Sequence, residues 1–310
     1  MSDSPLRRSF LFGRQATPDD QWSAFLAKLG RACRGSVKLI AEHQAYLNPL
    51  QLDDVIQARR ICQTHEVVLA LEGLPLPLVD QSRHTLWVQA GSAWGSLLPL
   101  GDTGLWRVDA GCPMAGAQAA GLLGSQWPAH MTNVAQWFAQ ACRQQPLQQT
   151  RLSDHVVSID WMLPDGTIEV FGAFGNSDSQ PLRSLAAQKI VPKLFELSML
   201  PELQAAAVAD HRGVWPLQYH LDALMNPEAV NLGHCFVGHG GSLGWLVAVT
   251  FRHTDQPMEP AHSQRTVSEQ STECTESTVL AKSRGFEIDQ AIKHALDPDR
   301  VFLSLLQQTE

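Results

Sequence analysis

The stretch Asp154-His155-Val156-Val157-Ser158-Ile159-Asp160-Trp161-Met162-Leu163-Pro164-Asp165-Gly166-Thr167-Ile168-Glu169-Val170 reads as two strands joined by a tight turn. Val157, Ile159, Trp161 and Leu163 alternate with Ser158 and Asp160, a period that lines one face of a pleated strand. Proline fixes φ, aspartate can bond its own backbone, and glycine accepts left-handed φ, so Pro164-Asp165-Gly166 reverses the chain. A long antiparallel hairpin is therefore the first expectation.

The elements on either side follow the same logic. Asp19 to Arg34 predicts a first helix, with Trp22, Phe25, Leu26 and Leu29 at helical spacing and Gly35 as its stop. Val37 to Ile40 is a short strand. Pro49 precedes a helix whose apolar face is Leu52, Val55, Ala58 and Cys62, and Asp53 and Asp54 occupy its first turn, where the dipole favours carboxylates. Val67 to Leu71 is a β-branched apolar run suited to a buried strand. Thr85 to Ala90 is another strand, and Gly91-Ser92 should cap a short helix through Leu98. Asp109 to Ser125 is rich in Gly and Ala, which lets backbone approach a ligand or another backbone closely. Asn133 to Cys142 fits an amphipathic helix inside a Gln-rich excursion. Downstream, Pro181 to Leu200 is helical, and Leu232 to Gly238 and Trp245 to Arg252 read as strands around Gly240-Gly241-Ser242-Leu243-Gly244. The chain turns polar from His253 to Thr278, in the manner of a linker. A closing helix, Phe286 to Leu296, ends at Asp297-Pro298.

Composition removes several function classes. The 310 residues carry a formal charge of -8, whereas a phosphate-backbone binder needs a basic surface. No apolar run approaches a membrane span, and the first residues lack a signal-peptide core, so a cytoplasmic protein is expected. The six cysteines include no C-x-x-C pair and are read as free thiols. There is no G-x-G-x-x-G after a strand and no P-loop. His65-Glu66 lacks the second histidine of a zinc helix, so no metal site is expected. Gly240 to Gly244 matches G-x-S-x-G, yet Trp245 to Phe251 alternates like a strand where a nucleophile elbow needs a helix; a Gly-rich turn is the better reading.

The order of elements resembles the two-lobed, PCMH-type FAD-binding domain of the FAD-linked oxidases. Members include p-cresol methylhydroxylase, vanillyl-alcohol oxidase, D-lactate dehydrogenase and the glycolate oxidase FAD subunits. Five places carry the likeness: Pro49 with Asp54-Val55; Glu72-Gly73-Leu74-Pro75-Leu76 in the place of an Arg-Gly-Gly-Gly-Thr loop; Val88-Gln89-Ala90-Gly91-Ser92-Ala93-Trp94; Met114-Ala115-Gly116-Ala117 through Ala120 to Gly124-Ser125; and Asp154-His155-Val156-Val157 running into Pro164-Asp165-Gly166. Gly241-Ser242-Leu243-Gly244 and Ala295-Leu296-Asp297-Pro298 also fit.

The resemblance implies an α+β fold with an N-terminal helical segment (1–36) and a FAD domain (37–252, lobes dividing near 100). A polar linker (253–280), read as disordered, and a C-terminal helix (281–310) stand in place of a full substrate cap. It also implies non-covalent FAD held by Glu72, Gly73, Leu74, Pro75, Leu76, Ala115, Gly116, Ala117, Ala120, Gly124, Ser125, Asp154, His155 and Val157. The implied activity is that of a FAD-dependent oxidoreductase, or the FAD-binding subunit of one, of the D-2-hydroxyacid dehydrogenase and glycolate oxidase type. Its implied partners are a small 2-hydroxy acid and a redox subunit. The departures point elsewhere: two prolines in the first loop remove N–H donors, Glu72 adds negative charge beside a phosphate, and no catalytic base can be matched. The alternative is a degenerate homologue acting as a scaffold or regulatory partner.

Overall fold

The computed structural model describes residues 18–74, 83–124, 127–128, 130–142, 152–175, 181–201, 203–204, 217–225, 230–254 and 276–304. Pro75, Leu76 and Ser125 and most of the polar stretch after His253 lie outside them.

The first lobe begins with helix α1 (Pro18–Ala32), strands β1 (Ser36–Ala41) and β2 (Gln44–Asn48), helix α2 (Leu52–Thr64), and strands β3 (Val68–Leu71) and β4 (Thr85–Val88). These strands form one sheet in the order β1-β2-β4-β3. The β1–β2 pair is an antiparallel hairpin, whereas β4 runs parallel to both β2 and β3. Parallel strands require a crossover, and α2 supplies it between β2 and β3, which lie on either side of β4. Alternation decides the faces: Ala45, Leu47, Leu69, Leu86 and Val88 are fully buried and share a core with Phe25, Leu29, Val55, Ala58 and Cys62 of the two helices.

Asp54 ties this lobe together. Its carboxylate accepts the backbone N–H groups of Arg34, Gly35 and Leu50 at 2.8–3.1 Å, which fixes where β1 and α2 begin.

A 3-10 turn (Ser92–Trp94) leads into the second lobe: β5 (Leu97–Pro99), β6 (Leu105–Asp109), α3 (Met114–Ala119), α4 (Val134–Gln140), the single turn α5 (Leu152–His155), the hairpin strands β7 (Val156–Met162) and β8 (Ile168–Gly172), α6 (Leu185–Ser198), two further 3-10 turns (Leu221–Leu224, Leu232–Phe236) and β9 (Trp245–Arg252). The five strands make a fully antiparallel sheet, β5-β6-β9-β7-β8. Ile159 pairs with both Phe171 and Val249, and Val249 pairs with Val108, so one buried row crosses the sheet. On the other face Arg107 bonds the carboxylates of Asp109 and Asp160.

Helix α7 (Glu276–Leu296) closes the chain, starting inside the stretch expected to be linker. The residues after it return to the first sheet: Leu69 N–H donates to Val301 O, and Leu303 N–H donates to Leu69 O. The hairpin around Pro164-Asp165-Gly166 and the two-lobed α+β frame are as the sequence suggested.

Three expectations need correction. Leu232–Phe236 is a 3-10 turn rather than a strand, because Asn231 accepts from Gly233 N–H and donates to Val157 O, giving the backbone a local alternative to the ladder. The helix expected from Gly91 to Leu98 is confined to the 3-10 turn Ser92–Trp94, since Leu97–Pro99 pairs with Val108–Trp106. Helix α4 is not amphipathic: Val134, Ala135, Gln136, Trp137, Phe138 and Ala139 are all buried, so this part of the supposed excursion belongs to the core. Among the described residues no helix is long and apolar enough to cross a membrane.

Candidate functional site

The two lobes meet where several backbone segments come into contact. A Cβ on Gly111 would fall 2.0 Å from Gly91 O, so a side chain there would drive the lobes apart. The first predicted loop lies beside this seam. Glu72 N–H donates to Val88 O at 2.9 Å. Gly73 has φ +81, a left-handed conformation that favours glycine. Leu74 packs on the turn at Gly241, where a Cβ would meet its Cδ1 at 3.0 Å.

The residue that completes this loop is Gln136 of α4, only 2 % exposed. Its Nε2 donates to Glu72 O at 2.9 Å, and its Oε1 accepts from Thr132 N–H at 2.8 Å and from Thr132 Oγ1 at 3.0 Å. A Cβ at Gly73 would stand 2.0 Å from Gln136 Nε2. Asn133 caps the helix by accepting Gln136 N–H at 2.9 Å and donates to Ala90 O, so the side chain is launched from a fixed helix end.

The second predicted loop is also closed on itself. Ala115, Gly116 and Ala117 lie in α3, whose Ala117 is fully buried. Met114 N–H donates to Thr132 O, Gly116 and Ala117 N–H to Pro113 O, and Ala120 N–H to Gly116 O. Val134 and Ala135 N–H groups donate to Cys112 O and Ala110 O. Gly124 is buried, and its carbonyl accepts from Gln118 Nε2.

The third group lies elsewhere. Val156 pairs with Phe251 at one end of the sheet, while Met162 pairs with Trp245 beside the Gly-rich turn at the other. At about 3.3 Å per residue these ends are roughly 20 Å apart. Asp154 is exposed, His155 is buried and Val157 is half-buried, so none joins Glu72, Gly73 and Leu74. The fold brings the first loop together with Gln136 and Gly241, residues that the loop motifs alone did not indicate.

Buried polar residues support the Gly-rich turn. Ser242 Oγ donates to His239 O at 2.5 Å and lies 3.0 Å from Tyr219 OH. Lys293 of α7 donates to Ser242 O, to Asp297 Oδ2 at 2.6 Å and to Phe302 O at 3.2 Å, while Asp297 accepts the N–H groups of Val301 and Phe302. Burial pushes the Lys293 ammonium down, against the pull of Asp297. On the same helix, Asp289 accepts Gln218 N–H at 2.8 and 3.0 Å, and burial pushes its carboxyl up to about 7. Ser242 is fully buried and a strand follows it, so it is a structural serine and not a nucleophile elbow. Cys33, Cys62, Cys112 and Cys235 are free thiols, and no metal-type cluster occurs among the described residues.

A FAD diphosphate needs backbone N–H groups converging on an open concavity. In the described loops the N–H groups of Glu72, Met114, Gly116, Ala117 and Ala120 already have acceptors, and Gln136 stands on Gly73. The described part of the first loop, Glu72 to Leu74, as packed does not fit that group.

No protein-family model matches the chain, and no curated protein matches it. Among solved structures, two crystal forms of alkyldihydroxyacetonephosphate synthase are similar at 12% and 11% identity, each with a TM-score of 0.39, over 67% of this chain and 31% of that one. A variant of BBE-like 1 from Physcomitrella patens is similar at 11% identity and a TM-score of 0.43, over 74% of this chain and 44% of that one. The chain thus spans less than half the length of each of these proteins. At this level of likeness the α+β fold rests on its own strand order and registers.

Proposed function

We propose that the chain is a degenerate relative of the FAD-linked oxidases that keeps the two-lobed frame and serves as a scaffold or regulatory partner. The observation that supports this most strongly is Gln136, seated against Gly73 and bonded to Glu72 O in the place where the family's first phosphate loop would receive the diphosphate. The chain's proline substitutions act in the same direction, since Pro75 and Pro77 carry no N–H. Only residues 253–275 separate β9 from α7, too short a stretch for a substrate cap. The visible spectrum of the purified protein tests the reading. It should show no flavin bands, and flavin absorbance near one per chain would sink it.

A second reading has its own support. The indole N–H of the half-buried Trp94, lying against Gly111, has no acceptor among the described residues. A ring carbonyl of a bound flavin would supply one there. In that reading the protein is a FAD-binding oxidoreductase, or the FAD subunit of one, acting in the cytoplasm on a 2-hydroxy acid with a partner redox subunit. The cofactor would be non-covalent.

A further inference from the structure

At the opposite end of the first sheet from the Gly73 loop, a pocket of about 360 Å³ opens between the ends of α2 and α7 and the starts of β3 and β4. Glu66, Arg83, Asp299 and Arg300 line it, with Cys62 and Gln63. Asp299 is already held by Gln63 Nε2 at 2.7 Å, and Gln63 in turn accepts from Arg59. Neither Arg83 nor Arg300 forms an ion pair among the described residues.

A second observation is independent of charge. Glu66 and Arg300 have φ of +55 and +51, two of the three non-glycine residues with positive φ among the described residues. Both follow helix ends: Val67 N–H closes back on Cys62 O after α2, and Arg300 N–H on Asp297 O after α7. Glycine is the ordinary occupant of such positions, and another side chain there carries a conformational cost. At both ends the costly residue is charged and lines the same pocket; the Glu66 carboxylate opposes an anion there, so the attraction rests on the two guanidinium groups. The two guanidinium groups also act together on a third site, pushing the buried Lys293 ammonium further down.

We propose that this pocket is a binding site for a small oxyanion, a carboxylate or a phosphate, held between Arg83 and Arg300. Guanidinium forks match the oxygen pairs of both groups and bind them through charge-assisted hydrogen bonds. The site is separate from the Gly73 loop, so it stands whether or not flavin binds there.

The test is titration of the full-length protein with inorganic phosphate or malonate, followed by melting temperature and calorimetry, with sodium chloride at matched ionic strength as the control. A saturable rise with phosphate alone assigns the site to phosphates, and one with malonate alone assigns it to carboxylates. R83Q and R300Q should each weaken binding roughly tenfold or more, as expected for loss of a charged hydrogen-bond partner. R300G separates binding from folding, because it relieves the positive φ: it should melt at or above the parent temperature yet lose the anion response. No saturable effect of either anion beyond chloride, or binding unchanged in R83Q and R300G, would overturn the proposal.

Discussion

Replacing Gln136 by Ala removes the group that seals the first loop, and the structure sets the size of the effect. Three hydrogen bonds disappear, one to Glu72 O and two from Thr132. At about 0.5–1.5 kcal/mol net for each bond, the full loss would reach about 1.5–4.5 kcal/mol. Thr132 and Gly73 are exposed, so water replaces part of what is lost. The expectation is therefore about 1.5–2.5 kcal/mol, in the lower half of that range. The assay is equilibrium denaturation followed by tryptophan fluorescence, since buried Trp137 is the next residue along α4. The midpoint should fall with the slope unchanged. A loss below about 0.5 kcal/mol, the level of an ordinary surface change, would refute the claim that Gln136 seals the loop.

Three other perturbations bear on the same frame. Lys293→Met strands the buried Asp297 carboxylate, so urea melts should show a loss of about 3–5 kcal/mol. Asp289 is raised from 3.8 to about 7 in the folded protein, so between those values the native state holds a proton that the unfolded state has lost. Its contribution is complete below about pH 4 and is lost as pH rises towards 7, by at most about 4 kcal/mol; the parent-minus-Asp289→Asn difference in unfolding free energy should fall over that window, and a flat difference would contradict it. Finally, a fluorophosphonate probe should leave Ser242 unlabelled by mass spectrometry, because its Oγ is buried and bonded to His239 O and Tyr219.

Much of the frame was legible from local patterns. The Val157–Leu163 alternation and the Pro-Asp-Gly turn gave the hairpin, the apolar run at Val67–Leu71 gave a strand buried on both faces, and Asp54 in the α2 first turn proved to be a lobe-fixing residue. What stayed hidden was decided by tertiary pairing. Gln44–Asn48 carries mixed polarity and becomes a strand only because β1 and β4 flank it. Leu97–Pro99 is a strand only through β6. The Asn231 side chain turned an apolar run into a 3-10 turn. In the candidate site the loop motifs located Glu72 and Gly73, but Gln136 lies 64 residues further on and no spacing rule links them. The available signal was an Asn helix cap followed by Val134, Ala135, Trp137, Phe138 and Ala139, apolar residues spread round the helix in the manner of a buried segment.

The most direct measurement is an equilibrium titration of the purified chain with FAD, followed by quenching of flavin fluorescence. The Gln136 seal predicts no saturable quenching at micromolar protein, in the parent or in a refolded sample. Stoichiometric quenching, at about one FAD per chain, would show that the first loop opens to the diphosphate and would contradict the account.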